Sequence, residues 1–186
     1  TLADGGFVVV WQNNDKSEIL GQRYIANGSK NDDEFWIGSG MHPNVAALNN
    51  GGFVTVWSSR VEILAQRYTA AGVNDGPIFQ VSSYYSGSYY KISPRITMLH
   101  NYIFATVWMS YESPSEGVYG GNIYGQLYFQ NGTQYGAEFR VNTYDVGNQI
   151  NPAITTLTNG DFIIVWESEE QDGDGAGIFG QRYDAS

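Results

Sequence analysis

The chain repeats a short apolar run that begins after a turn signal and ends at a tryptophan. The clearest copy is Gly-Gly-Phe-Val-Thr-Val-Trp at residues 51–57, and related runs occupy 5–11, 160–166 and, more loosely, 102–108. Enrichment in β-branched and aromatic residues after a turn signal predicts a β-strand. Side chains alternate between the two faces of a strand, and here both faces are apolar. We therefore expect each of these strands to be covered on both sides.

Alignment on the tryptophan predicts a unit of four strands, which we label a to d. Strand a starts at a proline, b is the Phe-to-Trp run, c ends in Gln-x-Tyr, and d contains a phenylalanine. The spacing from the proline to the tryptophan and from the tyrosine to the phenylalanine is constant, whereas the other two spacings vary. In an antiparallel meander this predicts one end of the sheets with fixed turns and one end with variable loops, where binding usually resides.

The tryptophans recur at intervals typical of propeller blades, at positions 11, 57, 108 and 166. We predict an all-β fold of antiparallel four-stranded repeat sheets, β-propeller-like with about four blades. A β-sandwich or a linear stack of sheets is the alternative. One domain, 1–186, would hold units at about 1–41, 42–92, 93–150 and 151–186, with strand a missing from the first and strand d from the last. Such open edges pair with other strands, so we expect head-to-tail contact with other copies of the chain or flanking repeats.

Composition supports this class and excludes several partners. The chain has 186 residues with 23 Gly, 14 Tyr and only 15% charged residues, as in all-β repeat proteins. Its formal net charge of −10 disfavours nucleic acid and anionic membranes. It has no Cys, so it forms neither a disulfide nor a thiolate metal site. No apolar run approaches the roughly 18 residues of a spanning helix, so we predict no membrane insertion.

Two motifs give the chain a family resemblance. Gly-Gly-Phe-Val-Val-Val-Trp at 5–11, and the Asp/Gly-rich stretch followed by Gly-Gln-Arg-Tyr at 171–183, resemble repeats of very large secreted bacterial adhesin-like proteins, often found alongside RTX calcium repeats. The resemblance covers nearly the whole chain. It implies an extracellular or cell-surface module, structural or adhesive, with no enzymatic residue to carry over. The third unit departs from the pattern, because His100-Asn101-Tyr102 replaces the Gly-Gly turn and Leu127 replaces the Arg.

A cluster of tyrosines is the candidate binding site. Tyr, Ser and Gly together form adaptable contact surfaces, and aromatic faces suit sugar rings. The alternative is that these variable-end loops pack on each other. The candidates for contact with glycans or another partner are Tyr84, Tyr85, Tyr89, Tyr90, Tyr111 and Tyr119.

The stretch 167–175 concentrates carboxylates at the variable end. Asp-x-Asp-Gly offers hard oxygen ligands on a flexible backbone, as Ca²⁺ requires. A solvated hairpin loop explains the same residues, and no cofactor is otherwise expected. The candidate Ca²⁺ ligands are Glu167, Glu169, Asp172 and Asp174.

Two equivalent c–d turns match the N-glycosylation pattern. Asn27-Gly28-Ser29 and Asn131-Gly132-Thr133 both follow strand c. Asn-Gly is also a preferred hairpin turn, so a turn explains the Asn and the Gly without a glycan.

Catalytic signals are weak in the sequence. His42 and His100 fall at opposite ends of the predicted sheets, and there is neither a Cys nucleophile nor a Gly-x-Ser-x-Gly elbow. A carboxylate pair for glycoside hydrolysis stays open, since two acids about 5–10 Å apart suffice. The leading hypothesis is therefore a non-enzymatic extracellular structural or adhesive module within a larger array or filament. A carbohydrate-binding lectin-like propeller is the second hypothesis and a glycosidase the third.

Overall fold

The computed structural model describes residues 1–83, 88–112 and 120–184, without the side chains of 88, 89 and 112. These residues form fourteen β-strands in four antiparallel sheets. No helix within them is long and apolar enough to cross a membrane. The strands are β1 Phe7–Asn13, β2 Glu18–Tyr24, β3 Lys30–Ser39, β4 Met41–Ala47, β5 Phe53–Ser59, β6 Glu62–Tyr68, β7 Phe79–Gln80, β8 Ser88–Met98, β9 Ile103–Glu112, β10 Gly121–Phe129, β11 Gln134–Arg140, β12 Gln149–Thr156, β13 Phe162–Glu169 and β14 Ala176–Tyr183.

Each sheet is a meander of consecutive strands. In the described residues the orders are β1-β2-β3, β4-β5-β6-β7, β8-β9-β10-β11 and β12-β13-β14, which we call the first to fourth sheets. They correspond to strands bcd, abcd, abcd and abc of the predicted unit. The predicted all-β, propeller-like fold with about four blades is therefore confirmed.

The strand register places the same two aromatic residues opposite each other in every sheet. In the first sheet Phe7 pairs with Tyr24, and their rings stack with centroids 4.8 Å apart. The equivalent stack in the second sheet is Phe53 on Tyr68, at 4.7 Å. Burial raises the pKa of the Tyr68 hydroxyl to about 12, which the Thr55 hydrogen bond only partly offsets. The constant Phe-to-Tyr pairing therefore sets the register of strands b and c in all four sheets, the remaining pairs being Phe104 with Tyr128 and Phe162 with Tyr183.

Successive sheets pack face to face through the alternation of strand b. The Val8 and Val10 face of β1 packs with Phe53 and Trp57 of β5. The opposite face of β5 packs on the third sheet, and the third sheet packs on the fourth in the same way. In each of these interfaces the aliphatic face of one sheet therefore meets the Phe/Trp face of the next.

The tryptophans of strand b are core residues in three of the four sheets, as expected for a strand that is covered on both sides. Trp57, Trp108 and Trp166 are buried, whereas Trp11 is half-buried. Trp11 lies on the face of the first sheet that points away from the second sheet, so no other described sheet covers it.

Strands β4, β8 and β12 are the innermost strands, and β8 contacts both β4 and β12 near the axis. The backbone N–H of Ile96 donates to Asn44 Oδ1 at 3.2 Å, and Thr156 Oγ1 donates to the Met98 carbonyl at 2.8 Å. Small side chains such as Ala46 and Thr97 suit this close approach.

The prediction that strand a starts at its proline is wrong. The innermost strands begin between two and six residues earlier, and their pairing register shifts around Pro43, Pro94 and Pro152. Such a shift marks a β-bulge, and a bulge accepts a proline because the extra residue is left out of the ladder.

Candidate functional site at the variable end of the axis

Three strained residues lie at the same position of the three innermost strands. His42, Ser93 and Asn151 each precede the bulge proline and each have a φ of 54°. A positive φ is costly for a residue with a side chain, and the residue before proline ordinarily favours extended backbone. Bulges of this kind re-aim side chains and are frequent next to active sites. His42 and Asn151 lie within the first three residues of their strands, and Ser93 occupies the equivalent position of the longer β8. The three residues therefore mark the part of the innermost strands towards the variable end of the axis.

His42 lies beside a cationic group at this end. Burial and then the positive charge of Arg95 lower the pKa of the His42 imidazole below its usual value. Arg95 donates to the Pro94 carbonyl at 3.1 Å, and within the described ranges it is in no salt bridge. The backbone N–H of His42 donates to Gln12 Oε1 of the first sheet at 3.2 Å. The bulge residue therefore links two sheets and faces a guanidinium.

Two carboxylates stand at the same end of the fourth sheet. Glu167 Oε2 accepts a hydrogen bond from Nδ2 of the bulge residue Asn151 at 3.1 Å. Glu169 Oε2 accepts from Asn148, at 3.1 Å from the backbone N–H and 2.9 Å from Nδ2. Both glutamates lie on one face of β13, two residues apart, and each is oriented by an asparagine.

The predicted carboxylate loop is therefore shorter than expected. Glu167 and Glu169 belong to β13, which continues to Glu169, and only 170–175 form the turn. Within that turn Asp172 Oδ1 accepts the backbone N–H of Asp174 at 3.3 Å. Among the residues described, no three His, Asp or Glu side chains are grouped so as to hold a metal ion. Calcium binding by this stretch stays a prediction.

Part of the predicted tyrosine site does come together. Tyr90 and Tyr111 are cross-strand partners on β8 and β9. Tyr90 is 53% exposed, whereas Tyr111 packs against the core between the third and fourth sheets, as does Ile150, the strand partner of Glu167. Tyr84, Tyr85, Tyr119 and the side chain of Tyr89 lie outside the described part of the chain.

The two predicted glycosylation sites lie at the opposite, fixed end. Asn27 Oδ1 accepts the backbone N–H of Ser29, and Asn131 Oδ1 that of Thr133, each at 2.9 Å. These Asx turns, each followed by a glycine with a φ of 86°, explain both sequences as turns. Both asparagines are exposed, and their glycosylation stays a prediction.

Sequence reasoning missed the bulge residues and Arg95. The signal available was the repeated x-Pro pair at 42–43, 93–94 and 151–152, which we interpreted only as a strand start. The spacing of the repeat correctly placed Glu167 at the variable end. The sequence analysis predicted that it binds a metal, whereas in the structure it accepts a hydrogen bond from Asn151.

Comparison with known proteins identifies the fold. No protein-family model and no curated protein matches the sequence. The exo-1,5-α-L-arabinanase from a bovine ruminal metagenomic library matches 98% of this chain and 71% of its own, with 10% identity and a TM-score of 0.58. The Penicillium chrysogenum α-L-arabinanase, solved with arabinobiose, matches 98% and 60%, with 12% identity and a TM-score of 0.61. The Bacteroides thetaiotaomicron endo-arabinase matches 95% and 74%, with 11% identity and a TM-score of 0.51.

These comparisons correct the leading functional hypothesis. We expected a non-enzymatic structural or adhesive module in an array or filament, and no enzyme. Solved structures that share the fold include three enzymes described as arabinanases or an arabinase, so the glycosidase alternative is the better supported of the three. At such low identity the likeness itself establishes the fold alone.

Proposed function

We propose that this chain is the propeller of a glycosidase that acts on a plant-type polysaccharide at the variable end of the axis. The observation that carries the proposal is the paired carboxylates Glu167 and Glu169, held by asparagines beside the strained bulges of a fold that solved arabinanases share. The first two of those arabinanases extend beyond the matched region, since the chain covers 71% and 60% of their lengths.

The spacing of the two glutamates suits glycoside hydrolysis. Residues two apart in a strand lie about 6.6 Å apart and point to the same face. Hydrolysis needs one carboxyl group to protonate the leaving oxygen and one to activate a water or attack the anomeric carbon, at about 5–10 Å separation. Glu167 and Glu169 can fill these two roles around a sugar bound above β13.

The neighbouring groups suit a sugar ligand. Tyr90 presents an exposed ring at the same end of the third sheet, and an aromatic face binds the apolar side of a pyranose or furanose ring. Arg95 and His42 add hydrogen-bond donors around the axis. Polysaccharides occur outside cells, so we propose an extracellular location, which the sequence resemblance to secreted repeats also implies.

Release of reducing sugar tests the proposal, with arabinan chosen because of the similar arabinanases and xyloglucan because the description of a further solved structure with this fold, from Bacteroides ovatus, names it. We expect Glu167→Gln and Glu169→Gln each to lower kcat by at least about 100-fold, the contribution typical of general acid–base catalysis. Glu34→Gln, at an exposed carboxylate on strand β3, is the matched control and should keep full activity. Failure of the purified chain to cleave either polysaccharide, or full activity in both glutamine variants, would contradict the proposal.

A further inference from the structure

A cavity lies at the fixed end of the axis, at the opposite end of the sheets from Glu167 and Glu169. The turns between strands a and b of the second, third and fourth sheets line it, and its volume is about 590 Å³. Cavities of this size hold small ligands in many proteins. Among the described residues that line it, none is Asp, Glu, Lys or Arg. Its polar lining residues are Asn49, His100, Asn101, Tyr102, Thr156 and Thr158.

Tyr102 occupies a turn position that glycine occupies in the other three repeats. Gly5, Gly51 and Gly160 have φ values of 81°, 85° and 97°, and Tyr102 has a φ of 61°. This left-handed conformation is unfavourable for a residue that carries a Cβ atom, whereas glycine adopts it freely. The tyrosine is 59% exposed, so packing in the core does not offset the strain. Strain of this kind is typical of functional positions, and the ring is placed for a contact outside the fold.

Asn101 is released from a hydrogen bond that its equivalents make. In the other three repeats the side-chain oxygen at this position accepts the backbone N–H two residues later, at 2.9, 3.1 and 3.3 Å. Those acceptors are Asp4, Asn50 and Asn159. In the third sheet the corresponding N–H, that of Ile103, donates to the His100 carbonyl at 3.3 Å instead. The Asn101 amide makes no hydrogen bond within the described ranges, so its donors and its acceptor are open to a ligand.

His100 reaches from the third sheet to the turn of the fourth. Its Nδ1 lies 3.5 Å from the point that a Cβ atom on Gly160 would occupy, so the imidazole lies against that turn. The equivalent residues of the neighbouring turns, Asn49 and Thr158, are exposed and line the same cavity. Polar groups from three sheets therefore converge on one place, which no single turn could provide.

We propose that this cavity is a second sugar-binding site, which holds a neutral sugar unit of the polysaccharide at the end of the axis remote from the paired glutamates. The inference rests on the proposed function only for the choice of polysaccharide. Hydrolysis needs a pair of carboxyl groups, and no carboxylate lines the cavity among the described residues. This second site therefore binds the sugar and leaves it intact.

The chemistry of the lining residues selects a neutral sugar. The exposed ring of Tyr102 can contact the apolar face of a sugar ring. Amide and hydroxyl groups both donate and accept hydrogen bonds, as sugar hydroxyls do, and Asn49, Asn101 and Thr158 supply them. An anionic ligand would need Lys or Arg, and a divalent cation would need carboxylates. The described lining residues include neither kind of group.

NMR signals of the two histidines report the two ends of the axis separately. The chain has 2 His residues, of which His42 lies at the variable end and His100 lines the cavity. Arabinobiose and xyloglucan oligosaccharides are titrated at constant pH into the Glu167→Gln chain, in which hydrolysis is prevented. We expect the imidazole signals of His100 to shift at millimolar sugar. Unchanged His100 signals would overturn this inference, whether or not His42 responds. A shift of His100 alone would support it and count against the proposed site at the glutamates.

Two further variants, made in the same Glu167→Gln chain, test the contacts of the sugar. Tyr102→Gly removes the ring and relieves the strain, and Asn101→Gly removes the amide but keeps the left-handed backbone, so both should fold. We expect the Kd reported by His100 to rise about 10-fold in Tyr102→Gly and about 2- to 10-fold in Asn101→Gly. Tyr90→Ser, at an exposed tyrosine of the opposite end, is the matched control and should leave the His100 response unchanged. An undiminished His100 response in Tyr102→Gly would overturn the proposal.

Discussion

Arg23 joins the first sheet to the second by donating from Nη2 to the Ala70 carbonyl oxygen, at 2.6 Å. Its Nη1 donates to the Ala71 carbonyl at 2.8 Å and approaches Asp32 at 3.2 Å. The side chain is buried, so these bonds form where water cannot replace them. A planar guanidinium with several fixed donors can bind two successive carbonyls, which an ammonium group does less well.

Replacement of Arg23 by Leu should weaken the contact between these sheets. Leu127 occupies the same position in the third sheet, so the fold accepts a leucine there. Because the two charge-assisted hydrogen bonds to the second sheet are lost, we expect Arg23→Leu to lower the free energy of unfolding by about 2–3 kcal/mol. Urea denaturation measures this loss.

Arg140→Leu is the control for that measurement. Arg140 donates to Asn122 within one sheet and is exposed, so its loss should cost less than about 1 kcal/mol. Equal losses for Arg23→Leu and Arg140→Leu would show that the contact between the sheets adds no stability.

The tryptophans of strand b should contribute unequally to stability. Trp57 is 1% exposed, and we expect Trp57→Ala to cost about 3–5 kcal/mol as a large-to-small core change. Trp11 is only half-buried, so Trp11→Ala should cost clearly less. Thermal and urea unfolding of the two variants provide the comparison. A loss below about 1 kcal/mol for Trp57→Ala would mean that the residue is not a core residue.

The repeat made most of the fold predictable from the sequence. The constant distances between Pro43 and Trp57, and between Tyr24 and Phe35, reflect turns of fixed length, and a period-2 pattern assigns each residue to a face. The Phe53–Tyr68 stack follows from the register in which strands b and c pair.

Features that depend on how sheets approach each other were not predictable in this way. The bonds from Arg23 to Ala70 span 47 residues and exist only once two sheets are packed. The positive φ of His42 contradicts the local preference of a residue before proline, so the surrounding strands must impose it. The partnership of Glu167 with Asn151 likewise depends on that bulge.

The irregular turn of the third sheet should be improved by a glycine. Tyr102 has a φ of 61° and is exposed, whereas Gly51 adopts the positive φ in the corresponding turn of the second sheet. A left-handed conformation costs an ordinary residue about 1–2 kcal/mol. We therefore expect Tyr102→Gly to raise the midpoint of thermal unfolding, and Tyr102→Ala, which keeps the Cβ atom, to leave it nearly unchanged. A lower midpoint for the glycine variant would contradict this account.

Calcium binding by 167–175 can be tested through stability. A ligand that binds only the folded chain stabilises it by mass action, so millimolar Ca²⁺ should raise the melting temperature. Asp172→Asn together with Asp174→Asn should abolish the shift. Because Glu169 already binds Asn148, Glu169→Gln should reduce the shift less than the loop variant. An unchanged melting temperature in the wild type would argue against a site in the folded protein.

His42 should make stability depend on pH in the range below neutrality. Its folded pKa lies below the unfolded value of about 6.5, through burial and the charge of Arg95, so the unfolded chain binds the proton more tightly. Stability is then fully present above about pH 6.5 and falls as the pH is lowered. His42→Asn removes this dependence, and Asn tolerates the left-handed backbone, as Asn151 does at the equivalent position. We expect the drop in melting temperature between pH 7.5 and pH 5 to be smaller in His42→Asn than in the wild type. The same drop in both proteins would show that His42 is not the group that titrates.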